Sequence, residues 1–210
     1  MLRWLSKLIL RIIGWHTDGS LPPGIKKAVI VSAPHTSFWD FIIGRFTFWA
    51  ARVDIRFLIK SEVFKPPLGY LLTKLGGIPV DRTTNNRMVD QVVKLFEKND
   101  SLVVLITPEG TRKLVKQWKK GFYMIAIRAN VPIALSFIDY GNKTGGIGPI
   151  LYPTGDYEKD LLFIENYYYD KVARHPERFN LSPENRKSIK HEVSKKKPVK
   201  QTVDNDGYSI

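Results

Sequence analysis

The chain reads as an α/β protein: a mixed, largely parallel sheet flanked by helices, with an amphipathic helix at its N-terminus. Three observations predict this class. Short apolar runs such as Ala28–Ala33 (AVIVSA) and Ser101–Ile106 (SLVVLI) have the length and unbroken hydrophobicity of buried strands. Longer helical patterns separate these runs, and strands alternating with helices build α/β layers. The composition supplies a core without disulfides: 43% of the 210 residues are hydrophobic and none is cysteine.

Met1–Trp15 (MLRWLSKLILRIIGW) predicts a helix with Arg3, Lys7 and Arg11 at spacings of four on one narrow stripe. Apolar side chains, with tryptophan near both ends, cover the rest. That pattern suits a helix lying in a membrane surface, its apolar face in lipid and its basic stripe at the phosphates. After a turn at Gly19–Gly24 comes the strand Ala28–Ala33, then a helix over Ser37–Ala51 with Asp40 near its start. Ile55–Ile59 predicts a strand. Leu68–Leu75 is a short helix stopped by Gly76 and Gly77, and Gly77–Val80 a short strand. Thr84–Lys98 is amphipathic, with Met88, Val92 and Phe96 at spacings of four. Beyond the strand Ser101–Ile106, a helix is expected over Lys120–Ala129. Strands follow over Val131–Ile138 and, more weakly, Ile147–Tyr152, and a helix over Asp156–Ala173. From about Ser194 the chain is polar and is expected to be disordered. The organisation expected is therefore a surface helix over residues 1–18, a folded domain over 25–175, and a basic helical segment with a disordered tail over 176–210.

Charge narrows the partners. Lysine and arginine number 33 against 20 acidic residues, a net charge of +13. Such an excess favours nucleic acid, an anionic membrane surface or a phosphorylated substrate. The strands are aliphatic, not the aromatic platforms on which RNA modules stack bases, so nucleic acid is not expected. The longest stretches without a charged residue are twelve long, Ala28–Trp39 and Thr144–Gly155, whereas a spanning helix needs ~18–20 apolar residues. No secretory signal is expected either.

Among chemical motifs, the phosphate loop, the dinucleotide fingerprint, the G-x-S-x-G elbow and H-E-x-x-H are all missing. Absence of cysteine excludes a thiol nucleophile. The four histidines are scattered and lack carboxylates at ligand spacing, so no metal site is expected. His35 differs from the others, because it follows a strand directly in PHTSFWD, with Asp40 five positions on. Five residues of regular helix turn ~500°, so the two meet only if His35 lies in the turn and Asp40 in the first helical turn. Pro34 and a Ser37 N-cap favour that arrangement. An aspartate on one ring nitrogen then leaves the other free to take a proton from a hydroxyl; a purely structural His–Asp bond is the alternative. Two further polar knots end apolar strands: GIPVDR with Asp81 and Arg82, and TPEGTR with Glu109, Gly110, Thr111 and Arg112. The carboxyl ends of strands are where ligands bind in open α/β sheets. Arginine offers a planar fork for phosphate, glycine lets a ligand reach the backbone, and threonine adds a donor. A turn carrying a surface ion pair is the plainer reading of each knot alone.

In order along the chain, these segments resemble the glycerolipid acyltransferase family, typified by 1-acylglycerol-3-phosphate acyltransferases. His35 and Asp40 match the family's H-x4-D block, GIPVDR its second block ending in Arg82, and Glu109–Arg112 its E-G-T-R block. Val131, Pro132 and Ile133 match a fourth, a proline between apolar residues after a helix. The match spans about Ile25–Ile138. Pro34 stands where many members have asparagine, and Ile-Pro-Val where many carry a more aromatic segment. The resemblance implies an O-acyltransferase without cofactor or metal. His35, held by Asp40, would deprotonate the hydroxyl of a lysophospholipid, 1-acylglycerol-3-phosphate in the first instance, for attack on the thioester of acyl-CoA or acyl carrier protein. Arg82, Gly110, Thr111 and Arg112 would hold the acceptor phosphate, and Glu109 would touch substrate or bridge to an arginine. Lys113, Lys116, Lys119 and Lys120 would meet donor phosphates, the bilayer or solvent. The aromatic run from Phe38 to Trp49 reads as core ahead of acyl pocket. Such an enzyme would sit peripherally on the cytoplasmic face of a membrane, the bacterial inner membrane. The alternatives are transfer to another lysolipid such as a lyso-aminolipid, a thioesterase, and a basic membrane-binding module without catalysis.

Overall fold

A computed structural model describes residues 2–81, 83 and 85–181. Arg82 and the tail beyond Leu181 lie outside the described residues. Seven strands form one sheet: β1 (His16–Asp18), β2 (Lys27–Ser32), β3 (Ile55–Lys60), β4 (Gly77–Val80), β5 (Leu102–Ile106), β6 (Ile133–Asp139) and β7 (Thr144–Leu151). Their order is β1-β7-β6-β2-β5-β3-β4, with β6 and β7 antiparallel and every other neighbour parallel. The helices are α1 (Leu2–Ile12), α2 (Phe38–Ala51), α3 (Leu68–Lys74), α4 (Asn85–Lys98), α5 (Gly121–Ala129) and α6 (Tyr157–Tyr168). This is the mixed, largely parallel α/β sheet that the alternation of patterns predicts.

The apolar strands serve two cores because successive side chains point to opposite faces. Val29, Val31, Val104, Ile133 and Leu135 face α4, α5 and α6, together with Phe96, Phe122 and Ile164. Ile30, Val103 and Ala134 face the other way, onto Phe48, Val53 and Ile55. α2 is apolar nearly all round because it is covered twice, by the sheet and by α1, whose Leu10 joins Ile43, Ala50 and Ile138.

Three elements differ from the expectation. The edge strand β1 has no hydrophobic pattern; its three exposed residues are held by pairing with β7, where a side chain at Gly146 would overlap the Asp18 carbonyl oxygen. The first helix stops at Ile12, and Trp15 turns into the core against Tyr140 at 5.0 Å, so it is not a second lipid-facing anchor. Arg3 also leaves the expected basic stripe, donating from Nε to the Ala50 carbonyl at 3.3 Å. The last helix ends at Tyr168 and not Ala173, because the chain is drawn back to the end of β6. There the Tyr140 N–H donates to the Val172 carbonyl at 2.9 Å, and the Val172 N–H to Asp139 Oδ1 at 3.2 Å.

Candidate active site

The sheet order brings the functional turns together. β2 lies between β5 and β6, with Val31 in register with both Ile106 and Leu135. The turn that follows β2 therefore meets the turns that follow β5 and β6. Ser37 caps α2 by accepting from the Trp39 N–H at 3.2 Å, in a capping box completed by Asp40. Asp40 thus sits in the first helical turn with its carboxylate directed back over the loop. Its Oδ2 accepts the Thr36 and Ser37 N–H groups at 2.7 and 2.8 Å and lies 3.5 Å from His35 Nδ1. Its Oδ1 accepts the Tyr140 hydroxyl at 2.8 Å. Burial alone would raise the Asp40 pKa, but the hydrogen bonds from His35, Ser37, Tyr140 and Thr36 outweigh it and hold the carboxyl below the usual range. Burial, with the hydrogen bond to Asp40 and its negative charge, pushes the Tyr140 phenol up.

Glu109 enters from the neighbouring turn. It is 2% exposed, and both its oxygens face the His35 backbone N–H, at 3.2 and 3.1 Å. Burial raises its pKa to about 8, with the nearby Asp40 charge adding to the rise and the His35 N–H opposing it. Two carboxyls thus flank one histidine with opposite tendencies: Asp40 is kept ionised and Glu109 is kept protonated through neutral pH.

His35 opens onto a cavity of about 800 Å³. The lining contributed by the turn after β5 and the segment beyond it, the cavity's basic arm, includes Thr107, Gly110, Thr111, Arg112 and Lys119. Gly110 adopts φ +66°, a left-handed turn that suits glycine. The lining contributed by α2, β3 and α3, the cavity's apolar arm, is largely hydrophobic, with Phe41, Phe48, Ile55, Phe57 and Leu72. The aromatic run is therefore divided: Phe48 is core and cavity wall at once, whereas Phe38 and Trp39 are 60% and 52% exposed. Among the described residues Glu109 pairs with no arginine. Asp81 closes the turn into α4, accepting from the Thr83 N–H at 2.8 Å and pairing with Arg87 at 3.4 Å. Lys120 pairs with Glu158 at 3.4 Å and stacks on Tyr157 at 4.1 Å, leaving Lys119 as the cavity lysine of the basic run.

A family model described as Acyltransferase matches residues 15–135. The chain belongs to that family. It is an acyltransferase, and the matched segment contains the His35 turn, the Glu109 turn and the strands that join them. Among solved structures, the 1-acyl-sn-glycerophosphate (LPA) acyltransferase PlsC from Thermotoga maritima shares the fold at TM-score 0.56 and 16% identity, over 93% of this chain and 80% of that one. No curated protein matches the chain in sequence.

Sequence reasoning missed Tyr140 in this acyltransferase site. Its signal was available: a phenol just past the end of a predicted strand, on the sheet edge where the other site residues lie. Thr36 and Arg174 were missed as well. Thr36 Oγ1 accepts the His175 N–H at 3.2 Å, and Arg174 lies over the Trp39 and Tyr140 rings at 5.4 and 5.7 Å. Their neighbourhood is tertiary and has no local pattern.

Proposed function

We propose that this acyltransferase moves a fatty acyl chain from a thioester, acyl-CoA or acyl carrier protein, to the hydroxyl of a lysophospholipid, with 1-acylglycerol-3-phosphate as the acceptor and phosphatidate as the product. The observation that carries the reading is His35, with Nδ1 toward a buried, ionised Asp40, at a cavity with one apolar and one basic arm. His35 Nε2 takes the acceptor's proton as its oxygen attacks the thioester carbonyl. The C–O bond forms, the C–S bond breaks, and the thiolate leaves with the proton from the imidazolium. The 3.5 Å His–Asp separation tightens when substrate is bound. Arg112 and Lys119, with the Gly110 and Thr111 turn, serve the phosphate, and the family resemblance gives Arg82 the same role. Glu109, expected from the sequence to touch substrate or bridge to an arginine, is better used on the His35 backbone. No cofactor or metal takes part.

The same reading docks the enzyme peripherally on the cytoplasmic face of the bacterial inner membrane. α1 leaves Leu2, Trp4, Leu5, Leu8 and Ile12 exposed, Trp4 at 83%, and Phe38 and Trp39 extend this surface beside the site. No helix among the described residues is long and apolar enough to cross a membrane. The apolar face of α1 sinks into the headgroup boundary, and Lys7 and Arg11 add ~1 kcal/mol each on anionic lipid.

The test measures thiol release from acyl-CoA or acyl carrier protein with and without 1-acylglycerol-3-phosphate, and phosphatidate by mass spectrometry. Acceptor-dependent release with product formed supports transfer. Release independent of acceptor would make the protein a thioesterase, and no release with either donor would overturn the reading. Replacing the exposed Trp4, Leu5, Leu8 and Ile12 by serine, which leaves Leu10 and Trp15 in the core, is expected to reduce activity on vesicles and spare a soluble short-chain acceptor.

A further inference from the structure

The apolar arm of the cavity contains a charge that the proposed reaction does not use. Arg45 lies on α2 one turn beyond Phe41 and lines the arm together with Phe41, Phe48 and Ile55. It is 9% exposed, and its Nε and Nη1 are buried without a hydrogen-bond partner. Its charged neighbours are Asp54 and Arg56. They do not compensate it, because Asp54 is committed to Arg56 at 2.8 Å. The guanidinium rests over the Trp49 ring at 4.6 Å. Such a stack is worth ~0.5–2 kcal/mol, less than the several kcal/mol that an unpaired buried ion costs. Arginine does not escape by losing its proton. A core position of this kind is better filled by methionine or leucine unless an anion arrives from outside.

We propose that Arg45 is an anion-binding subsite of the apolar arm, taking the carboxylate of a single-chain amphiphile whose chain lies along the aromatic wall. The apolar walls there carry one positive charge, that of Arg45. A carboxylate monoanion neutralises that charge and matches the planar guanidinium. A phosphate monoester brings ~1.5–2 negative charges and would leave an excess buried. Arg45 follows Asp40 by five residues, ~7.5 Å of helix rise, so the carboxylate would sit within one small molecule's reach of the reacting centre. Two sources fit: the headgroup of a hydroxylated acceptor that ends in a carboxylate, or a free fatty acid. Binding itself does not depend on the acyl-transfer reading; only the assignment of the source rests on it.

The experiment compares calorimetric binding of dodecanoate, dodecanol and monododecyl phosphate, each below its micelle concentration, to the full-length protein and to R45Q and R45M. Monododecyl phosphate, which Arg112 and Lys119 can also hold, is the control that keeps its affinity in both variants. Wild type is expected to bind dodecanoate about tenfold or more tightly than dodecanol, as a charge-assisted contact of ~1.5–3 kcal/mol requires. Both variants are expected to lose that preference while melting at or above the wild-type temperature, since an uncompensated charge has been removed. A folded R45Q that keeps the preference, or a wild type with none, overturns the proposal. So does a lowered melting temperature in both variants without a change in preference, which makes Arg45 a structural cation. Turnover then separates the sources. If R45Q lowers kcat/KM for a carboxylate-headed acceptor and spares lysophosphatidate, the acceptor is the ligand. If it relieves inhibition by dodecanoate and spares both acceptors, a free fatty acid is. A wild type that transfers no acyl group to either acceptor would overturn the proposed function and leave the binding comparison intact.

Discussion

The turn after β2 and the turn after β5 lie side by side and do different things with their charges. In the first, Asp40 is wrapped by two backbone N–H groups and a phenol, so its negative charge is fixed next to His35. In the second, the carboxyl of Glu109 is buried against the His35 backbone, while Gly110, Thr111 and Arg112 remain exposed at the cavity. The lesson is that E-G-T-R is two devices. Its glutamate belongs to the first turn, whose His35 N–H it accepts, and the rest lines the cavity. Burial separates the two roles, where the resemblance left Glu109 open between touching substrate and bridging to an arginine.

The comparison breaks most readily at its centre. His35→Ala is expected to lower turnover by ~10²–10⁴, the usual contribution of a general base. Asp40→Asn is expected to be severe as well, since the amide keeps the shape and loses the charge that favours the imidazolium. Both are read as thiol release by protein whose circular dichroism matches wild type. Near-normal turnover in His35→Ala would remove the base from the first turn.

Glu109 sharpens the comparison through pH. Its pKa is raised from the 4.5 of a free carboxyl to about 8. The folded state therefore holds a proton that the unfolded chain has lost. The stability linked to Glu109 is complete below about pH 4.5 and disappears as pH rises through about 8, at no more than ~1.4 kcal/mol per pH unit. Glu109→Gln keeps an acceptor for the His35 N–H and is expected to flatten that slope in urea melts at pH 5, 6, 7 and 8. Wild-type and variant slopes that coincide would show Glu109 ionised in the fold. Arg112→Ala is the exposed counterpart. It is expected to raise KM for a phosphate acceptor about tenfold, to leave melting unchanged, and to be rescued poorly by lysine.

The parts of the fold legible from sequence are those written in local patterns. AVIVSA and SLVVLI become β2 and β5 because an aliphatic run that feeds two cores needs no alternation. The meeting of His35 with Asp40 was legible too, because the Ser37 cap fixes where the helix begins. β1 was not, since its three exposed residues are held by backbone pairing alone. The early end of α6 and the contacts of Trp15, Tyr140 and Glu109 were hidden for the same reason: each depends on a partner far along the chain. Glu109 lies 74 residues from the N–H that it accepts, and Tyr140 lies 100 from Asp40. No spacing rule reports such a pair before the strand order is known.

The smallest expected effect tests the link between the first turn and the end of β6. Tyr140→Phe removes the phenol that donates to Asp40 Oδ1 and keeps the ring that packs on Trp15. One hydrogen bond of this kind is worth ~0.5–1.5 kcal/mol, so kcat is expected to fall by roughly two- to tenfold. Tyr140 reaches the site through Asp40 and does not itself line this cavity, so KM for either substrate is expected to hold. The sign of the pH effect follows from Asp40. The phenol is one of the contacts that lower its pKa, so removing it moves that pKa upward. The reaction needs the ionised carboxylate, and the acid limb of the kcat profile should therefore shift to higher pH in the variant. Tyr140→Phe with unchanged kcat and an unshifted acid limb would make the phenol a packing residue, and Asp40 would then be held by its own turn alone.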